Sequence, residues 1–230
     1  MSDATNGEAG AKFDAYAKEY QALHGASVAA SGEAPDYFHR YKIDCLVERL
    51  GFRRADPMLD YGCGIGNLTS LLAESFDEVH GYDPSAESLR VARERAPRAS
   101  FFERAEALPD GRYAGAVLSG VLHHVPPPER PALLGLVVRK LAPKGRLVVF
   151  EHNPINPLTR RAVAACPFDD DAVLLWPWQV RGLLRDAGLR DVRLDYVVFF
   201  PKPLSFLRSL EPRLARLALG AQTLSVGVAG

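Results

Sequence analysis

From Met58 onward the chain alternates short apolar runs with longer stretches of helical hydrophobic period, the pattern of successive βα units laid into a parallel sheet. PMLDYG (57–62) predicts a first strand and NLTSLLAESF (67–76) a helix. DEVHGYD (77–83) and SAESLRVARERA (85–96) repeat the unit, ASFFERA (99–105) predicts a third strand and RYAGAVLSGV (112–121) a fourth. ERPALLGLVVRKLAP (129–143) reads as a helix. It leads through Pro143 and Gly145, which end the helix and turn the chain, into GRLVVFEHN (145–153). That fifth run is apolar without alternation, so both of its faces are expected to be buried. WQVRGLLRDAG (178–188) predicts a helix, DVRLDYVVFF (191–200) a strand, LSFLRSLEPRLARL (204–217) a helix and QTLSVGVA (222–229) a last strand.

Two segments stand outside this alternation. FDAYAKEYQALHG (13–25) and DYFHRYKIDCLVERLG (36–51) are helical stretches joined by a linker of mostly small residues, and they precede the first strand. Between the fifth strand and the next helix runs PINPLTRRAVAACPFDDDAVLLWP, read as a long Pro-rich connection. A long connection at the carboxyl end of a parallel sheet usually covers a ligand site.

The composition narrows the choice of partner. The 230 residues carry 28 basic and 28 acidic side chains, interspersed, with 47% apolar residues. A nucleic-acid binder normally shows a basic excess or stripe, so neither DNA nor RNA is expected. Cys45, Cys63 and Cys166 are odd in number and widely spaced, with no zinc-type pairing, and read as reduced thiols. With no signal-like start and no run of about 20 apolar residues, a cytoplasmic protein with no membrane partner is expected.

The most specific signal is LDYGCGIGNLT, which sets Asp60, Gly62, Cys63, Gly64, Gly66 and Asn67 between a strand and a helix. Glycines there permit a sharp turn and close approach of a ligand to the backbone, and the helix start behind them offers free N–H groups. A nicotinamide dinucleotide fingerprint needs a glycine at the sixth position from Gly62, where Asn67 stands. In GYDPS, Asp83 ends the second strand and precedes Pro84, placing a carboxylate where both hydroxyls of a ribose can donate to it.

On the D-x-G-x-G-x-G pattern the chain resembles the class I S-adenosylmethionine-dependent methyltransferases, in their small-molecule branch. The resemblance implies an α/β, Rossmann-like, doubly wound sheet of seven mostly parallel strands with an antiparallel last strand and an N-terminal helical lid. Residues 1–55 would be the lid and 56–230 the S-adenosylmethionine-binding domain, forming one compact unit. It makes Asp83 the acid that binds the cofactor ribose. ERAEALP, with Ala105 and Glu106, resembles the family's adenine-binding turn, although Arg104 displaces the usual acid. In the lid, Tyr16, Tyr20 or another of the tyrosines Tyr37 and Tyr41 would lie near the sulfonium, and Lys42 rather than Arg40 near the cofactor carboxylate. Aromatic faces hold a cationic sulfonium, and closure excludes water. The bland reading of the same aromatics is core packing.

By the same resemblance, SGVLHHVPPPER would place Ser119 and Gly120 beside the cofactor, with His123 and His124 beneath the transferring methyl. FEHNPINP puts Glu151, His152 and Asn153 at the end of the fifth strand. An imidazole can take the proton of a hydroxyl or amine as the methyl arrives, so His123, His124 and His152 are the candidate bases. Otherwise they pack, cap or face water, and Asn153-Pro154 merely turns the chain. Asp169, Asp170 and Asp171 either meet an acceptor or form a solvated loop, and no metal is expected. The expected function is methyl transfer to an oxygen or nitrogen of a small molecule, of natural-product or sugar-pathway type, by a monomer or homodimer. The alternatives are a non-catalytic adenosylmethionine-binding partner protein and a nicotinamide-dependent oxidoreductase.

Overall fold

The computed structural model describes residues 32–230. The chain enters through α1 (Pro35–Asp44), extended by one wider π turn over Cys45–Arg49. The strands β1 (Met58–Tyr61), β2 (Val79–Tyr82), β3 (Ser100–Phe102), β4 (Tyr113–Ser119), β5 (Leu141–His152), β6 (Arg190–Val197) and β7 (Gln222–Val228) form one sheet in the order β3-β2-β1-β4-β5-β7-β6. Strands β1 to β5 pair in parallel, and β7 runs antiparallel to both β5 and β6. The seven strands and the antiparallel last strand are those that the family resemblance implies.

The connecting helices α2 (Asn67–Ser75), α3 (Ala86–Arg95), α4 (Arg130–Lys140) and α6 (Pro177–Asp186) fall where the helical period places them. The start of α3 is fixed by Ser85, whose hydroxyl accepts from the Ser88 N–H at 3.0 Å. The non-alternating apolarity of β5 has the expected cause. Leu147 and Val149 pack with Leu134, Val137, Val180 and Leu184 on one face, while Val148 and Phe150 pack with Leu46, Leu68, Leu72 and Phe76 on the other. Burying each such side chain contributes about 1.5–3 kcal/mol. Edge strand β6 is only half-buried and carries Arg190, Asp191, Arg193 and Asp195, charges that discourage further strand pairing.

Three elements differ from the sequence expectation. The helix expected over 129–143 ends at Lys140, and β5 begins at Leu141, so Pro143 and Gly145 lie within the strand rather than before it. The helix expected over 204–217 is a run of 3-10 turns, Lys202–Leu210, followed by the short α7 (Glu211–Leu214). Pro203 and Pro212 each lack the N–H that a continuous helix needs. Conversely, the Pro-rich connection contains α5 (Pro157–Ala164). The Asn156 side chain accepts from the Leu158 and Thr159 N–H groups, and Pro157 occupies the first helical position. The stretch 13–25, with Tyr16 and Tyr20, lies outside the described residues. Cys45, Cys63 and Cys166 are buried and unbridged. Among the described residues no helix is long and apolar enough to cross a membrane.

Candidate active site

The candidate residues converge at the carboxyl ends of β1, β2, β4 and β5. After β1 the chain turns through Gly62, Gly64 and Gly66, all with positive φ (79°, 51° and 78°). At Gly62 a Cβ would lie 2.6 Å from Val121, and at Gly66 2.9 Å from Ala92 on α3, so these two glycines let neighbouring segments close on the loop. At Gly64 a Cβ would meet nothing within 4 Å, so that edge of the loop borders open space. The Gly64 N–H donates to Asp83 Oδ2 at 2.8 Å and the Ser85 N–H to Asp83 Oδ1 at 3.0 Å, which aims the carboxylate at the end of β2.

The other residues of the motif hold the loop from behind. Asp60 is buried and accepts from the Thr69 hydroxyl at 2.7 Å, tying β1 to the first turn of α2; burial lifts its carboxyl to about 6. Asn67 accepts from Arg95 of α3. Cys63 is buried, which pushes its thiol well above the ordinary range and keeps it protonated. Pro84 follows Asp83, half-buried. Beyond β3, Ala105 is buried in a 3-10 turn (Ala105–Ala107), with Glu106 exposed beside it. Ser119 ends β4, half-buried and paired with Phe150.

Of the two lid cations, Arg40 is exposed and Lys42 is buried, its Nζ 5.8 Å from the centre of the Phe150 ring. Burial pushes the Lys42 ammonium down to about 8, against the attraction of Asp60 and Glu151. Tyr37 and Tyr41 are engaged elsewhere. Arg208 lies over the Tyr37 ring at 4.2 Å, and the Tyr41 hydroxyl donates to Glu211 at 2.7 Å, so both anchor the 202–214 segment.

Between β4 and β5 the structure gathers a polar group that the sequence indicates only in pieces. Glu151 is buried; one of its oxygens accepts from the Leu122 N–H at 2.8 Å and the other lies 2.6 Å from His123 Nδ1. The opposite nitrogen of His123, Nε2, is 3.5 Å from Asp169 Oδ1, and so is His124 Nε2. The His152 ring stands 5.1 Å from that of His123. Burial opposes the charge on His123, but Glu151 and Asp169 outweigh it and hold the imidazolium up to about 10. Burial, reinforced by His123, drives His152 down to about 4 and lowers His124 as well, leaving both rings neutral at pH 7. Asn153 turns away to donate to the Ala218 and Gly220 carbonyls, fixing the loop before β7.

Asp169 also borders a cavity of about 520 Å³ flanked by Arg160, Arg161, Val163 and Leu174. In the sequence Asp169 is ambiguous and Arg160 and Arg161 are unmarked, because α5 lies within the Pro-rich connection; the Asn156-Pro157 helix start is the one local signal of it.

A methyltransferase-domain family model matches residues 36–193. The chain belongs to this family. Its strand order and antiparallel last strand are those of the class I enzymes, whose methyl donor is S-adenosylmethionine. The trans-aconitate 2-methyltransferase of Rhodopseudomonas palustris is 34% identical over 174 residues, covering 71% of this chain, and that of Mycobacterium ulcerans 31% over 161 residues, covering 63%. The chain spans 60% of the length of either relative. Among solved structures, an S-adenosylmethionine-dependent methyltransferase from Archaeoglobus fulgidus shares the fold with a TM-score of 0.62 at 18% identity, covering 82% of this chain and 94% of that one. Magnesium protoporphyrin IX methyltransferase from Synechocystis, with bound S-adenosylhomocysteine, does so with 0.61 at 16%, covering 93% of each. The chemistry of the residues present fits the cofactor: an aimed carboxylate for ribose hydroxyls, an open glycine edge and a buried ammonium near Asp60.

Proposed function

We propose that this chain transfers a methyl group from S-adenosylmethionine to an oxygen or nitrogen of a small acidic molecule seated against the histidine cluster. The observation that carries the reading is the convergence of the Asp83 cradle and the Glu151–His123–Asp169 chain at one end of the sheet. Bound there, the cofactor supplies an electrophilic sulfonium methyl. Asp83 accepts from the ribose hydroxyls, the turn at Ala105 and Glu106 borders the adenine, and Lys42 pairs with the amino-acid carboxylate. The loop of Gly62, Cys63, Gly64 and Asn67, backed by Asp60 and flanked by Pro84 and Ser119, shapes the wall. Residues 1–55 act as the lid, with Tyr16 and Tyr20 in its first part.

His123, held as a cation between Glu151 and Asp169 with both nitrogens engaged, positions the cluster rather than acting as a base. His124 and His152, neutral and close to it, are the groups able to accept a proton. A carboxylate acceptor needs no deprotonation, so positioning would suffice for it. Arg160 and Arg161 beside the cavity suit such an anion. The names of the relatives, which specify trans-aconitate, point to the same class. The test is to incubate the protein with S-adenosylmethionine and a panel of small di- and tricarboxylates, phenols and amines, reading S-adenosylhomocysteine by mass spectrometry. Turnover confined to acids supports the reading, and turnover of amines or phenols alone refutes the acidic acceptor.

A further inference from the structure

We propose that His123, His152 and Asp169 bind a divalent transition-metal cation, with zinc as its representative, and that this ion seats the acceptor. The inference rests on the placement of the acceptor given above but concerns the site itself. One donor atom from each of the three side chains lies within 4.8 Å of the other two. Tetrahedral zinc with bonds of about 2.0–2.2 Å sets its ligands roughly 3.3–3.5 Å apart. His123 Nε2 and Asp169 Oδ1, at 3.5 Å, already meet that spacing. His152 offers a ring nitrogen within 4.8 Å of a donor atom on each of them, and among the described residues no hydrogen bond holds its ring in place.

The second observation lies behind the ligands. Metal-binding histidines almost always engage a carboxylate or carbonyl through the nitrogen that does not bind the ion. His123 does so: Glu151 takes Nδ1 at 2.6 Å and is itself fixed by the Leu122 N–H, which leaves Nε2 directed at Asp169; the imidazolium described above is the metal-free state, and a binding ion displaces its Nε2 proton to solvent. An ion pair serving stability alone would explain Glu151, His123 and Asp169, but it leaves His152 outside the pairing; with an ion bound, His152 is a ligand and proton acceptance falls to His124. Two imidazoles and one carboxylate favour a zinc-like ion over magnesium, which prefers oxygen ligands. Three protein ligands leave one tetrahedral position open. Because Asp169 also borders the cavity flanked by Arg160 and Arg161, an acceptor oxygen entering from that side can reach it.

The experiment uses the full chain, freed of metal by a chelator. It is titrated with zinc by calorimetry and with cobalt(II) by visible absorption, with S-adenosylhomocysteine titrated in parallel. The expected result is one ion per chain and the ligand-field bands of a four-coordinate cobalt site. His152→Ala and Asp169→Asn are expected to abolish stoichiometric binding, and Glu151→Gln to weaken it about 10–100-fold. Melting curves and retained S-adenosylhomocysteine binding establish that the variants are folded. No stoichiometric ion in the parent protein, or equal binding in the His152 and Asp169 variants, overturns the proposal. If the thioether still binds in those cases, the methyltransferase reading stands; failure of the parent to bind the thioether counts against that reading and leaves the zinc result to judge the metal site separately.

Discussion

Replacing Lys42 by methionine should strengthen the free protein and weaken its hold on the cofactor. The ammonium is buried, and its shift from 10.5 to about 8 corresponds to roughly 3 kcal/mol weighing against the charged form in the fold, at about 1.4 kcal/mol per tenfold change. Methionine removes that penalty and fills a similar volume. The attraction of Asp60 and Glu151 is already contained in that shift, and imperfect repacking around methionine leaves an expected net gain of about 1–3 kcal/mol. For a chain of this size that raises the melting temperature by roughly 2–10 °C. Because the folded-state pKa is depressed, the penalty is full at pH 7 and fades as pH rises from about 8 through 10.5; the advantage of the variant should shrink over that window. Loss of a charged hydrogen-bond donor to the cofactor carboxylate should cost about 1.5–3 kcal/mol, or roughly 10–100-fold in S-adenosylhomocysteine affinity. Thermal melts at pH 7 and pH 10, with calorimetric titration, read both effects. A lower melting temperature at pH 7 would refute the burial argument, and unchanged affinity would refute the assignment of Lys42 to the cofactor.

Other perturbations test the frame and the acceptor side. Gly66→Ala forces a left-handed backbone at φ 78° and sets a methyl 2.9 Å from Ala92; an unfolding loss of about 2–4 kcal/mol is expected, and an unchanged urea midpoint would contradict it. Thr69→Val removes the hydroxyl that donates to buried Asp60 and should cost about 1–3 kcal/mol above pH 6, where that carboxylate is ionised. The raised Asp60 pKa makes its charged form unfavourable in the fold, so its own contribution to stability falls as pH rises from about 4 to 6, and the Thr69→Val loss should be smaller below pH 4. Arg160→Glu with Arg161→Glu should raise KM for an acidic acceptor by about tenfold or more while leaving the KM for S-adenosylmethionine unchanged, and equal shifts in both would count against an acceptor cavity there.

The sheet was legible because its signals are local. Periods of hydrophobicity and the glycine turn after Tyr61 each act over a few residues, and strands and helices form close to where they indicate, although β5 starts at Leu141, ahead of Pro143 and Gly145. Asp83 could be read for the same reason, since its position follows from one βα unit. The histidine cluster was legible only in part. His123, His124 and His152 were marked by the strand ends they follow, but their charge states depend on Glu151 and on Asp169, which arrives from a loop distant in sequence. Whether an imidazole there is a cation or neutral is a property of that assembly. Likewise Tyr37 and Tyr41 present the same aromatic pattern whether they face a cofactor or, as found, Arg208 and Glu211. The 204–217 stretch misled because its amphipathic period outweighed Pro203 and Pro212, and α5 was missed because prolines at 154 and 157 read as breakers although Pro157 begins a helix.

The central claim is that the glycine turn and Asp83 form a site for S-adenosylmethionine, and it is tested most directly by calorimetric titration with S-adenosylhomocysteine, beside NADH, of the parent protein and of Asp83→Ala. Micromolar binding of the thioether by the parent, lost in the variant and absent for NADH, is the predicted result. No binding of the thioether, or equal binding by Asp83→Ala, would contradict the account, and a response to NADH would return the chain to the dehydrogenase reading.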